Sequence, residues 1–488
     1  MKNRILPRSA SVAKNIAALL LREGCSKGTY LFLSILIARR YGRELLGQYA
    51  LALLIPRLFF TISEMGLNTL LTREVAKSKE ALSRYMVHLG ALRLLIGAST
   101  LLVMIGFARL FYPSGALFGL LCLSGASYAV INFVTLLNAA FRSFEKMEYE
   151  ARVLIFRDLL FLLCAVLWVR SRQGLSLLFL FFLACNGVAL GYAVRLYRRS
   201  FGWPRAALDI GFCRKVLRGA RPIWLISLFS LLYLYVDSIL LSLWKGEAVV
   251  GLYNVACMFV EPFILASAIL TGAFFPIFAR VSHNPTELRE TYAAVFKFAF
   301  FCFLPLQLAL LVFAPRWVTL FYGLPFLESA KALRLLMTGG VLFAVGSVNA
   351  HCLMACGDES FVSKRMAAFL LLNVLLNLWW IPRFSFIGSS LATVFCEALV
   401  FLVFFLRIRG HAGPVRFGPF FGKLAGSGTA MVAAWLASRR WAFSLSVLFG
   451  LAVYLLVDIA MRGYLWQERK ALGSLWKESQ GKYSASDS

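Results

Sequence analysis

Arg57, Thr61, Glu64 and Asn68 stand at i, i+4, i+7 and i+11 within GRELLGQYALALLIPRLFFTISEMGLNTLLTREVAK, residues 42–77. On a continuous helix they form one polar stripe along an apolar segment. An arginine near the middle of a bilayer costs roughly 2.5–3.5 kcal/mol on the gentlest scale. The stripe is therefore expected to face a bundle interior or a wet cavity. A fixed cation in such a place attracts an anionic group, and a guanidinium suits phosphate oxygens in particular. Pro56 removes a backbone hydrogen bond and predicts a kink just before Arg57.

Further ionisable residues occupy comparable stretches. Arg22, Glu23 and Lys27 lie in the first apolar segment and Arg93 in the third. Glu23 and Lys27 are i, i+4 and can pair. Together with Arg57 and Glu64, they give the N-terminal half four embedded cations against two carboxylates. The C-terminal half carries Asp237, Glu261 and Glu397, with no embedded cation placed among them. A carboxylate beside a cavity binds a cation or takes up a proton, because burial favours its neutral form. Arg22, Lys27, Arg57 and Arg93 are thus candidates for holding an anionic head group. Glu64, Asp237, Glu261 and Glu397 are candidates for lining the cavity or holding a coupling ion, H⁺ or Na⁺. Structural alternatives stand beside these: snorkelling of Arg22 and Lys27, interhelical bonding by Arg57 and Glu64, and a pairing of Arg93 with Glu64. Asp237 and Glu261 have a further alternative, neutralising arginines of the other half.

The elements that carry these groups follow from composition. Of 488 residues, 60% are hydrophobic and 15% charged, and the mean hydropathy is +0.76. Apolar blocks of span length repeat along the chain, which defines an all-α polytopic membrane protein. The spans are predicted near 16–38, 45–68, 85–108, 115–138, 153–169, 174–194, 219–243, 248–276, 293–314, 330–355, 361–381, 385–406, 418–437 and 441–461. The basic start, MKNRILPRSASVAK, leads into Arg22 and Glu23 without an uninterrupted apolar region, so no cleaved signal peptide is expected. The net charge of +28 would point to nucleic acid in a soluble protein; here it fits basic loops against anionic lipid, and no nucleic-acid partner is expected. Lysine and arginine concentrate on the side of the termini, which places both ends in the cytoplasm. No GxxxxGK[ST] sequence and no CxxC occurs, and the four histidines lack metal-ligand spacing. Neither a metal, an organic cofactor nor a catalytic residue is expected, and the chain is not read as an enzyme.

The basic connection between Arg195 and Arg221 divides the chain. The N-terminal lobe takes 1–200, a cytoplasmic linker 201–218, the C-terminal lobe 219–410, two extra spans 411–465, and an interfacial or disordered tail 466–488. An internal repeat supports two halves. GRELLGQYALA from Gly42 and GEAVVGLYNVA from Gly246 both obey GxxxxGxYxxA. In this register Arg57 overlies Glu261, and Pro56 falls beside Pro262. Matching kinked helices in two repeats suggest alternating access around a mid-membrane site.

These residues also carry a family resemblance. ARRYGRELLGQYALA, then SEMGLNTLLTREVAK, resembles the opening spans of the polysaccharide flippases of the multidrug/oligosaccharidyl-lipid/polysaccharide (MOP) superfamily. YVDSILLSLWKGEAVVGLYNVA, then FFPIFARV, resembles the corresponding stretch of that family's second half. The resemblance implies two pseudo-symmetric six-helix lobes around a central cavity, with two further helices. It implies export of an undecaprenyl-diphosphate-linked oligosaccharide across the bacterial inner membrane, with polymerase or glycosyltransferase machinery as possible partners. Arginines in the first two spans of the related lipid II flippases hold the diphosphate, and Arg22, Lys27 and Arg57 match that placement. Glu261 stands where those relatives have a further basic residue, which favours a different lipid-linked saccharide. A cation-coupled drug exporter of the same superfamily and a membrane-embedded polymerase or ligase are the competing readings; short external loops argue against the latter.

Overall fold

The computed structural model describes residues 8–461 apart from 114, 172, 173, 416, 419 and 439, with backbone only for 8–20, 170, 171, 221–223, 225–227 and 230. The predicted tail, 466–488, lies outside the described residues. The described residues are helical, with no strand among them. In order they are α1 (Arg8–Glu64), α2 (Leu67–Lys77), α3 (Leu82–Phe111), α4 (Ala116–Ser143), α5 (Met147–Ser171), α6 (Leu175–Phe201), α7 (Ile210–Lys245) and α8 (Glu247–Val281). There follow α9 (Pro285–Val312), α10 (Ala314–Tyr322), α11 (Ser329–Thr338), α12 (Gly340–Ala355), α13 (Glu359–Phe384), α14 (Phe386–Ala412), α15 (Phe420–Ala437) and α16 (Phe443–Ala460). Helix overlies every predicted span. By length and apolarity nine helices among the described residues can cross a membrane, or ten with α11 and α12 taken as one span bent by 43°. The first two predicted spans lie on either side of a non-helical kink at Gly42 in α1.

The chain divides into two compact units, residues 1–251 and 252–488. The division falls inside α8, and α7 packs on α1, α2 and α3. In the first unit α4 packs against α1, α3 and α6, and α5 lies along α1. Leu70, Leu71, Leu89, Val134, Phe141 and Val153 belong to its apolar core.

The repeated glycine motif has a structural basis. Gly42 turns α1 with φ 82° and ψ −170°, and Gly246 adopts nearly the same conformation before α8, φ 82° and ψ 174°. Both lie where an L side chain is strained. Five residues on, Gly47 and Gly251 meet: a Cβ on Gly47 would strike the carbonyl of Glu247, and one on Gly251 the carbonyl of Arg43. Neighbouring Gln48 donates to Glu247 Oε2 at 2.6 Å. Two copies of one motif therefore form a backbone-to-backbone crossing that only glycine permits. Gly47→Val is expected to cost at least about 1–3 kcal/mol, since a backbone clash cannot be relieved by a rotamer change. Thermal unfolding in detergent would show the loss. Disulfide formation between Gln48→Cys and Glu247→Cys should be efficient in the parent and suppressed beside Gly47→Val; equal trapping would count against the crossing.

In the second unit α15 and α16 pack on α9. Phe301, Phe313, Phe420, Met431, Trp435 and Tyr454 form the seam, and Tyr454 donates to the Phe301 carbonyl at 3.0 Å. At the α11–α12 bend, Gln307 Oε1 accepts from the Val341 amide at 2.7 Å, satisfying one of the orphan donors of a helix start. Asp358, before α13, accepts from Arg407 at 2.7 Å and contacts His411 at 2.6 Å. The Arg407 hydrogen bond, aided by His411, holds the Asp358 carboxyl below the usual carboxylate range against partial desolvation. A depressed folded-state pKa gives stability that is present above the unfolded value of about 3.9 and lost as pH falls through the folded one. Asp358→Asn should therefore lower the melting temperature at pH 7 and make less difference near pH 3.5. A gap that instead widened on acidification would reverse the sign of this linkage.

Candidate functional site

Arg57 lies on the second half of α1 and is exposed. Its guanidinium sits 5.4 Å from the centroid of the Tyr235 ring of α7. Trp224 of α7 donates to the Ile62 carbonyl at 2.7 Å, which fastens α7 beside the turn that follows Arg57. Helical dihedrals continue through Pro56, and the non-helical backbone inside α1 is at Gly42. The predicted stripe is not continuous. Met65 (φ 53°) and Gly66 (φ 70°) interrupt the helix after Glu64, so Asn68 opens α2 and points elsewhere. Glu64, half-buried, accepts from the Asn68 amide at 3.4 Å, and Thr61 is half-buried.

Arg93 of α3 is 1% exposed. It donates to Asn68 Oδ1 at 2.6 Å, to Thr135 Oγ1 at 3.0 Å, and to the backbone carbonyl and side chain of Asn132. One planar fork thus ties α3 to α2 and α4, a task suited to arginine. The stripe member Asn68 serves Arg93, not the surface that carries Arg57.

Arg22 pairs with Glu23 and with Glu150 of α5, and Arg142 of α4 approaches the same Glu150 at 3.0 Å. Glu150 has a side chain only 2% exposed. Two cations and two carboxylates make this cluster formally neutral, so the predicted excess at Arg22 is locally offset. Glu23 engages Arg22 here. Lys27, one turn further on, is half-buried. In the later helices Asp237 (6% exposed) and Glu397 (7%) are buried, and Glu261 is half-buried. Asp237 Oδ1 accepts from the Ser238 amide at 2.6 Å.

Among the described residues, further charges lie inside the predicted spans, among them Arg157, Asp158, Lys297 and Asp458, the last only 2% exposed. Arg157 and Asp158 fall inside the fifth predicted span and pair within α5 at 2.6 Å; Ser26 of α1 donates to Asp158. Lys297 falls inside the ninth predicted span and is half-buried on α9. The first pair adds one charge of each sign and leaves the N-terminal surplus intact. Lys297 corrects the expectation that the second half embeds no cation. The signal was present in the sequence: each falls inside a predicted span.

Among curated proteins, the teichuronic acid biosynthesis protein TuaB of Bacillus subtilis (strain 168) is 26% identical over 174 residues, 35% of each chain. An uncharacterized membrane protein of Methanocaldococcus jannaschii is 24% identical over 183 residues, 36% of each. The chain thus spans about a third of the length of these relatives. Among solved structures, the lipid II flippase MurJ in an inward closed conformation superposes with a TM-score of 0.75 at 16% identity, covering 91% of this chain and 99% of the other. An inward-facing multidrug resistance MATE transporter of the MOP superfamily gives 0.66 at 16% identity, covering 81% and 98%. The fold is therefore that of MurJ and MATE transporters. The polysaccharide biosynthesis protein family matches residues 12–282, more than half of the chain. With that match, this chain belongs to the polysaccharide biosynthesis protein family.

Proposed function

We propose that this protein flips an undecaprenyl-diphosphate-linked oligosaccharide from the cytoplasmic to the outer leaflet of the bacterial inner membrane by alternating access. Its product would feed cell-surface polysaccharide assembly, of which O-antigen is one kind. The observation that carries this reading is Arg57: an exposed guanidinium at span depth, braced by an aromatic ring, on a transporter fold. A cation kept in such a place at that cost is best explained by an anionic substrate. That TuaB is a teichuronic acid biosynthesis protein and MurJ a lipid II flippase supports a polysaccharide or lipid-linked substrate over a drug. Lys27 is the second N-terminal contributor. Arg22, neutralised in its cluster, and Arg93, enclosed by amides, hold helices together. Buried Asp237 and Glu397, with Glu64 and Glu261, are assigned to proton or Na⁺ coupling.

The test is reconstitution in proteoliposomes with a fluorescent undecaprenyl-diphosphate-linked disaccharide. Protein-dependent exposure of the label to an external quencher is the expected result. Transport of an ethidium-type cation with no movement of the lipid-linked sugar would instead establish the drug-exporter reading.

A further inference from the structure

Cys352 and Cys356 are the most closely spaced of the chain's ten cysteines, and all ten are free thiols. They stand at i and i+4 at the end of α12, on one face, with Cα atoms about 6 Å apart by helical geometry. That separation lies within the range a disulfide spans. The Cys356 amide donates to the Cys352 carbonyl at 3.1 Å, so the turn that sets the spacing is intact. The two thiols differ in access. Cys352 is 0% exposed, whereas Cys356, the C-cap residue, is half-buried.

The chain reverses immediately after Cys356. Gly357 takes φ 83°, and the Gly357 and Asp358 amides donate to the carbonyls of Met354 and Leu353 at 3.1 and 3.0 Å, a helix ending that favours glycine. Asp358 is thereby fixed two residues from Cys356, together with its partners on α14, Arg407 and His411. Cys356 stands just past the predicted span 330–355. The hydrogen bond from Cys352 holds its thiol below the ordinary value against partial desolvation; His411 adds to that effect and Asp358 opposes it. An accessible thiol with enhanced thiolate character, and a second thiol one turn away, are the two requirements of an oxidisable pair. The bias of lysine and arginine predicts that this end of α12 faces the cytoplasm. There the pair would be kept reduced until an oxidant arrives.

We infer that Cys356 is a modification site for peroxide and other soft electrophiles, with Cys352 as the thiol that resolves the oxidised form into an intrahelical disulfide. The inference is independent of what the transporter carries. In the first step the Cys356 thiolate attacks one peroxide oxygen. The O–O bond breaks, leaving Cys356 as the sulfenic acid and releasing hydroxide, which recovers the proton that Cys356 gave up. In the second step the Cys352 sulfur attacks the Cys356 sulfur. An S–S bond forms, the S–O bond breaks, and the Cys352 proton leaves with the hydroxyl as water. Two thiols thus lose two electrons and one peroxide becomes two waters.

Trypsin releases both cysteines on one peptide, residues 335–364. The full chain in nanodiscs is treated with hydrogen peroxide and then iodoacetamide, and that peptide is weighed. It should lose two hydrogens, resist alkylation, and regain both thiols after dithiothreitol. Met337 and Met354 lie on the same peptide and gain oxygen under peroxide, so the cysteines are scored by what dithiothreitol reverses. In Cys352→Ala the Cys356 sulfenic acid should persist and be trapped by dimedone. In Cys356→Ala the buried Cys352 should stay reduced. Without peroxide, Cys356 should be alkylated at pH 7 at least about tenfold faster than buried Cys396. Equal rates, with a parent peptide that keeps both thiols under peroxide, overturn the site. A dimedone adduct on Cys356 of the parent, with no disulfide, overturns the role of Cys352. Both decisive readings come from the parent chain, so misfolding of an alanine variant does not weaken the test.

Discussion

Arg57→Ala is expected to abolish export of the lipid-linked saccharide while the protein remains folded. Arg57 is exposed and its ring contact with Tyr235 is at 5.4 Å, so the truncation leaves no cavity in the core. Its effect therefore falls on whatever anionic group the guanidinium holds. Removing one partner of a desolvated, hydrogen-bonded charge pair costs about 2–5 kcal/mol, which is roughly thirtyfold to several thousandfold in affinity. Arg57→Lys should recover part of the activity, because it restores the charge without the planar fork. In cells the Ala variant should accumulate substrate on the cytoplasmic leaflet. A normal glycan output from folded Arg57→Ala protein would remove the central residue of the proposed mechanism.

Arg93→Ala is expected to act in the opposite manner, through stability. Arg93 is 1% exposed and supplies donors to Asn68, Asn132 and Thr135. Its loss leaves several buried acceptors unsatisfied, each worth about 1–3 kcal/mol, so a total near 3–5 kcal/mol is expected. Arg93→Lys should rescue little, since a single ammonium cannot reach the three partners in the plane of the fork. The readout is thermal unfolding of purified protein in detergent, with expression level alongside. Protein that melts at the parental temperature but no longer binds undecaprenyl diphosphate would return Arg93 to the substrate.

In the fold Arg57 stays exposed while Arg93 is buried. Both look alike in sequence: a guanidinium inside an apolar block. Asn68 was assigned to the Arg57 stripe because helical spacing was carried through residues 65 and 66. There Met65 and Gly66 take positive φ, the helix ends, and the amide turns to Arg93. A left-handed turn at a methionine has no strong local signature, so periodicity could not detect it. Arg22 also changed meaning once Glu150, on another helix, closed the cluster. Arg157 and Lys297 stand near the starts of their predicted spans, where a charge is also compatible with a span end.

Composition and periodicity alone determined that this is a multi-span helical protein, because a bilayer obliges every backbone polar group to be satisfied within its own helix. The repeat at Gly42 and Gly246 was also local information: two positions of positive φ and a close backbone approach demand glycine whatever surrounds them. Which buried charge is neutralised and which stays exposed was decided by the tertiary structure. That outcome depends on donors and acceptors brought from distant helices, as Asn132 is to Arg93 and Glu150 to Arg22, and no spacing rule along one helix encodes which neighbours the fold will supply.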